Sequence, residues 1–312
     1  MKVSVVLPNW NGINLVRMCL DSLKNLDFDD FEVLVVDNGS VDGSQEMIES
    51  NYPWVRLIKL SYNMGFAIAC NKGLNASTGE YIVLLNNDIE VDSAWLRELY
   101  EGMERHPECG MGTSRMMFLH NREEFYNTGD LFHVWSAGGG RGYGEKDVGQ
   151  FDKEEYVFGA CAGAGIYRRS MIEKTGLFDE DFFIFAEDVD LNLRAQQRGF
   201  KAVYLPSAKV FHIGTATVGL YSDRYIYLCK RNDIFVLVKN YSLMMYLKYF
   251  RFILSHQFQD IRYFSERGQG WVLLKSKFDA LKWLWRMLIR RNLNMRLKKV
   301  PDAAIEPLMI TY

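Results

Sequence analysis

The chain has 312 residues, 48% hydrophobic and 24% charged, which is enough apolar material for a sizeable core and excludes a disordered or fibrous polypeptide. Its formal net charge of −2 excludes a uniformly basic nucleic-acid binder, but the charge is unevenly spread. Residues 1–223 carry 20 Lys and Arg against 33 Asp and Glu, whereas residues 224–300 carry 17 against 4. This break sets the expected division into 1–223 and 224–312.

Short β-branched or aromatic runs predict buried strands at Val3–Leu7, Phe31–Val36, Val55–Leu60 and Tyr81–Leu85. Between them, Leu15–Leu26, Ser44–Ser50 and Phe66–Asn75 have helical composition. This alternation predicts an α/β protein with a parallel sheet and helices on both faces. Ligands of such sheets bind beyond the carboxyl ends of the strands. Three predicted strand ends are polar: "PNWNG" (8–12), "DNGSVDGS" (37–44) and "NNDIEVD" (86–92). Any one of them is an ordinary turn, but three on one edge are better explained by a site. Asp37 is placed to accept from a ribose or base, or to cap a helix N-terminus.

Between residues 138 and 151 there are six glycines, predicting a mobile loop over the sheet edge, either a lid or a linker. "GACAGAG" (159–165) reads as close backbone packing, because the glycine fingerprint of a Rossmann dehydrogenase should follow the first strand. Glu187 to Arg198 is helical in pattern, with Gly199 as its stop. Glu187, Asp188 and Asp190 fall in its first turn, where the helix dipole favours anions. The alternative is a carboxylate beside an aromatic wall (Phe178, Phe182, Phe183, Phe185) acting as a general base.

The five scattered cysteines, with no ligand spacing between them, read as free thiols in a reducing cytoplasm. The N-terminus turns polar too early for a signal peptide, and no run of about 18 uncharged apolar residues predicts a membrane span.

Taken in order, "VVLPNWNG", "VVDNGSVDGS", "NMGFAIACNKGL", "LLNNDIEVD", "GLFDEDFFIFAEDVDLNLRAQQRGF" and "VFHIGTATVG" resemble glycosyltransferase family 2, specifically its rhamnosyltransferase-like bacterial members. The resemblance implies a GT-A fold: a Rossmann-like, mostly parallel central sheet flanked by helices, here with a C-terminal helical appendage. It implies an inverting transfer of a sugar, L-rhamnose among the options, from a dTDP- or UDP-linked donor. The acceptor would be a polyprenyl-diphosphate-linked glycan in cell-surface polysaccharide synthesis. Pro8, Asn9, Trp10, Asp37, Asn63, Asn71, Lys72 and Asn87 would bind the donor. Asp88, the last acid of the family's DXD pattern, and His212 would hold a divalent cation, Mg²⁺ or Mn²⁺. Asp188 would be the catalytic base, with Glu187 beside it. Asn86 replaces the first acid of that pattern, and Cys70 stands where many relatives carry arginine. Other readings are a nucleotidyltransferase and a catalytically silent nucleotide- or glycan-binding scaffold.

In the basic segment, Trp271, Leu274, Phe278, Leu281, Trp285 and Leu288 recur at steps of three and four, a helical apolar stripe. A core-facing helix explains the stripe alone. The surplus of cations and the tryptophans point to a helix on an anionic bilayer, which predicts a cytoplasmic protein docked peripherally at the inner membrane face. A homodimer interface is the alternative, and no nucleic-acid motif accompanies the charge.

Overall fold

The computed structural model describes residues 1–135, 138–214, 219 and 221–311. The first half alternates β1 (Val3–Asn9), α1 (Ile13–Leu23), β2 (Phe31–Asp37), α2 (Ser44–Asn51), β3 (Val55–Lys59), α3 (Phe66–Ala76) and β4 (Tyr81–Leu85), then β5 (Ile89–Val91) and α4 (Trp95–Arg105). Next come β6 (Cys109–Phe118), β7 (Phe125–Asn127), β8 (Asp130–His133), β9 (Gly138–Gly140), β10 (Glu155–Val157) and β11 (Ala164–Arg168). They are followed by α5 (Arg169–Thr175), α6 (Glu187–Gln197) and β12 (Lys201–His212). Four long helices, α7 (Asp223–Asn240), α8 (Leu243–Glu266), α9 (Gly270–Lys282) and α10 (Leu284–Leu297), precede the short β13 (Met309–Ile310).

The main sheet has the order β10-β12-β6-β11-β4-β1-β2-β3, with β5 paired to β12 and β7 to β6. The β4-β1-β2-β3 portion is parallel, because α1, α2 and α3 supply the crossovers that parallel pairing needs. Beyond β4 the sheet is mixed. β6 and β12 are parallel, but β11 lies antiparallel between β4 and β6, since the chain returns to it through the extended excursion 119–163 instead of a crossover helix.

Burial of both sheet faces explains the unbroken apolar runs. Val3, Val5 and Leu7 of β1 join α1 and α4 in one core, while Val6 joins α3, α5 and α6 in the other. The glycine-rich stretch expected as a mobile loop is folded wherever it is described. Its β9 joins β8 and β13 in a small sheet. Glycines 142, 144 and 149 turn the chain with φ of 77°, 75° and 87°. Arg115, which is buried, pairs with Asp147 and, at 2.7 Å, with Asp152.

Helices α7–α10 close a third core against the sheet domain, in which Phe235 and Val236 of α7 and Met287 of α10 meet Phe182, Val189 and Leu193. At its centre is a buried ion cluster. Lys239 lies 2.7 Å from Asp179 and 2.8 Å from Asp190, and Arg194 lies 2.8 Å from Asp190. Asp190 is wholly buried, yet Lys239 and Arg194 hold its carboxyl well below the usual carboxylate range. Part of the cationic surplus of segment 224–300 is thus internal.

Candidate active site

The three polar strand ends converge. In the β1–β2 register Asn9 sits opposite Asp37. Asn87 Nδ2 donates to Asn9 Oδ1 at 2.8 Å, and Asn9 Nδ2 donates to Asp37 Oδ2 at 2.9 Å. Gln45 Nε2 and the Ser40 amide complete the shell of Asp37 at 2.6 and 2.8 Å. Gly12 is required beside this chain, because a Cβ there would lie 2.5 Å from Asn87 Nδ2.

Asp88 lies between β4 and β5, and Ile89, the first residue of β5, pairs with His212 on the antiparallel β5–β12 ladder. That pairing brings residues far apart in sequence together: His212 Nε2 lies 3.0 Å from Asp88 Oδ1. The Tyr126 ring packs edge-on against His212 with centroids 4.3 Å apart.

Asp188 opens α6. Its Oδ1 accepts from the Val189 amide at 2.8 Å and its Oδ2 from the Ala162 amide at 3.4 Å. Burial raises its pKa. Glu187 beside it is buried, with Oε2 lacking a partner. Its pKa is raised well above the carboxylate norm by burial and then by the Asp188 charge. A third acid, Asp130, accepts from Asn127 at 3.0 Å and from Asn192 at 3.1 Å. Burial, then the Asp188 charge, pushes it up to about 8.

One cavity of about 510 Å³ is lined by both Asp88 and Asp188. Pro8, Asn9, Trp10, Asn63, Asn87, Glu187 and His212 line it as well. Three expected donor-binding residues stand outside its lining. Asp37 is fully buried behind Asn9, which it orients. Asn71 straps α3 to the 178–180 turn, donating to Phe178 O at 3.0 Å and Glu180 Oε1 at 3.2 Å. Lys72, the next residue round the helix, is rotated outward and exposed. The stretch "VFHIGTATVG" (210–219) is described only as far as Gly214 and at Gly219; residues 215–218 lie outside the described residues.

Sequence reasoning missed Asn38, Tyr126, Arg224 and Tyr225, which also line the cavity. Arg224 and Tyr225 begin α7, in the segment assigned to the appendage. The aromatic wall Phe183–Ala186 is held in a strained shape, with φ of 67° at Phe183, 73° at Phe185 and 62° at Ala186. Asn232 of α7, fully buried, braces it by donating to the carbonyls of Phe182, Ile184 and Phe185 at 3.0, 2.9 and 2.7 Å.

The donor set suits a hard cation. Asp88 offers a carboxylate oxygen and His212 a ring nitrogen in contact with it, which leaves further positions for substrate oxygens.

The architecture is that of GT-A glycosyltransferases. Two S. aureus TarS structures align with TM-scores of 0.58, at 19% identity over 99% of this chain and 51% of that one, and at 17% over 99% and 89% for the 1–349 form. GalNAc-T7 with UDP, GalNAc and Mn²⁺ aligns with a TM-score of 0.57 at 15% identity, covering 73% of this chain and 48% of that one. The sequence profile of glycosyl transferase family 2 matches residues 4–176, and the chain belongs to that family. Among its relatives, the O-antigen biosynthesis protein RfbC of Myxococcus xanthus is 28% identical over 69% of this chain, which spans 18% of RfbC's length. The N-acetylglucosaminyl-diphospho-decaprenol L-rhamnosyltransferase of Mycobacterium tuberculosis is 27% identical over 64% of this chain and 75% of its own length.

Proposed function

We propose that the protein transfers a sugar with inversion from a nucleoside-diphosphate donor to a lipid-linked glycan. The observation that carries this reading is that Asp88 and Asp188 line the same cavity. Asp188 takes the proton of an acceptor hydroxyl as that oxygen attacks the anomeric carbon. The bond from that carbon to the diphosphate breaks and a nucleoside diphosphate departs. Glu187, next to Asp188, and the Ala162 amide, which donates to Asp188 Oδ2, flank the base. Asn9 and Asn87, locked by their mutual hydrogen bond, and Pro8, Trp10 and Asn63 form the donor wall. Asp37 acts by orienting Asn9. Arg224, a cation in the lining, faces the donor's negative charge. Asp88 and His212 would hold Mg²⁺ or Mn²⁺, which when bound supplies positive charge against the departing diphosphate.

The mycobacterial relative, an N-acetylglucosaminyl-diphospho-decaprenol L-rhamnosyltransferase, supports an L-rhamnosyl donor, here carried on dTDP or UDP as the family resemblance implies, and a polyprenyl-diphosphate-linked acceptor. That acceptor places the reaction at the cytoplasmic face of the membrane. In this reading residues 1–223 carry the chemistry, and 224–312 brace the site and present it to the acceptor.

The test is nucleoside diphosphate release from dTDP- and UDP-sugars with Mg²⁺ or Mn²⁺, in the wild type and in Asp188→Asn. General-base catalysis is worth about 10²–10⁴-fold, so Asp188→Asn lowers turnover by at least about a hundredfold with an unchanged unfolding midpoint. A loss below tenfold removes Asp188 from the role. Release of pyrophosphate instead identifies a nucleotidyltransferase, and no release from any donor identifies a silent scaffold.

A further inference from the structure

The apolar stripe of segment 271–288 faces outward. Trp271, Leu274, Phe278, Leu281, Trp285 and Leu288 are all exposed, from 42% at Leu288 to 75% at Trp271. The inward positions of the same helices are Leu273, Ser276, Ala280 and Met287, so α9 turns its smaller side chains to the protein and its largest to the outside. The pattern repeats on α8, where Leu247, Phe250, Leu254 and Phe258 are exposed at steps of three and four. An apolar surface that spans neighbouring helices marks an interaction site, since monomeric proteins rarely leave a large one uncovered.

Its border identifies the occupant. Exposed Lys248, Arg251, Arg262, Lys275, Lys282 and Arg296 share these helices with the apolar residues; Lys248, Arg262 and Lys282 pair with Glu306, Glu266 and Asp279, and Glu266 is the one exposed acid on the three helices. A two-fold contact with a second copy would set each patch against itself and bring these cations together. A bilayer carrying anionic lipids answers both features: apolar side chains enter the acyl boundary, and the cations meet phosphate headgroups. Among the described residues no helix is long and apolar enough to cross a membrane, which agrees with lying on the surface.

We propose that the outer face of α8, α9 and α10 docks onto an anionic bilayer. The patch is one helix layer from the cavity. α9 and α10 pack on α7, whose first turn supplies Arg224 and Tyr225 to the lining, and Tyr227 of α7 bonds Asp279 of α9 at 3.0 Å. The proposal deepens the reading of a lipid-linked acceptor by naming the surface that brings the enzyme to it.

The test is sedimentation of the full chain with phosphatidylglycerol-containing vesicles and with pure phosphatidylcholine vesicles at about 0.15 M salt. The wild type should pellet with the anionic vesicles only. The variant Arg251→Glu, Lys275→Glu, Arg296→Glu should partition on the order of a hundredfold more weakly. Trp271→Ser, Phe278→Ser, Trp285→Ser should stay in the supernatant. Both variants should keep the far-ultraviolet circular dichroism and the nucleotide-sugar hydrolysis of the wild type. The proposal is overturned if the wild type does not pellet, if it pellets equally with neutral vesicles, or if ultracentrifugation without lipid shows a dimer that the serine variant abolishes. Vesicle binding without any hydrolysis of nucleotide sugars would sink the catalytic reading and leave the docking surface standing.

Discussion

Three carboxyl groups crowd the start of α6, and their surroundings differ. Asp188 has two backbone amides to stabilise its charge, whereas Glu187 has a buried oxygen with no partner and Asp130 is pushed up to about 8. Because burial raises the Asp188 pKa, the acid limb of kcat/KM should lie above the range of an exposed aspartate. Asp130 has a consequence for stability. Its pKa in the folded protein lies above the unfolded value, so the fold binds the extra proton and loses stability as pH rises from about 4 towards about 8. Asp130→Asn should remove that loss, so that denaturant midpoints at pH 5 and pH 8.5 differ less in the variant than in the wild type. Arg224→Ala should raise KM for the nucleotide sugar about tenfold or more with a smaller change in kcat, because a charged hydrogen bond is worth about 1.5–3 kcal/mol. Steady-state kinetics on a soluble acceptor analogue would check it.

Among the elements, the loop leading into α6 depends most on its neighbours. Its left-handed residues at 183, 185 and 186 are not glycines, and Asn232 supports three of its carbonyls. Asn232→Ala removes the donor from the Ile184 and Phe185 carbonyls, whereas the Phe182 carbonyl keeps Arg231. It should cost about 2 kcal/mol or more by urea titration and lower kcat, because the wall beside Asp188 relaxes. This dependence was not legible in the sequence. The motif announces Asp188, but nothing local to "FFIFAED" shows that its backbone needs a donor from α7. The same applies to Asp130, an isolated acid that reaches the site only through the fold of β8 against α6. By contrast, β1, β2, β4 and α6 were legible because both-face burial and a clean helical pattern are local properties, and the meeting of Asn9, Asp37 and Asn87 followed from parallel topology alone. Lys72 was misplaced because its motif gives position along α3 and not direction around it.

For the molecule as a whole, the charge break near residue 223 falls at the start of α7 but conceals how closely the two parts are joined. Lys239 sits among Asp179, Asp190 and Arg194, and Arg290 reaches both Asp179 and Asp181. Lys239→Ala removes the cation shared by Asp179 and Asp190, leaving them Arg290 and Arg194 respectively, and should cost about 3 kcal/mol in a denaturant titration. A chain ending at residue 222 would lose this cation and most of the third core. It should fail to give a cooperative thermal transition, which calorimetry would show.

Cys161 lines the cavity, and its thiol has a raised pKa through burial and then through the charges of Asp130 and Asp188. The neighbouring acids and burial therefore keep a sulfur in the pocket wall from forming a nucleophilic thiolate. Electrophilic probes at neutral pH should leave it unmodified, so peroxide and alkylating agents should spare this centre, and an inhibitor built to capture a cysteine covalently would find no purchase there.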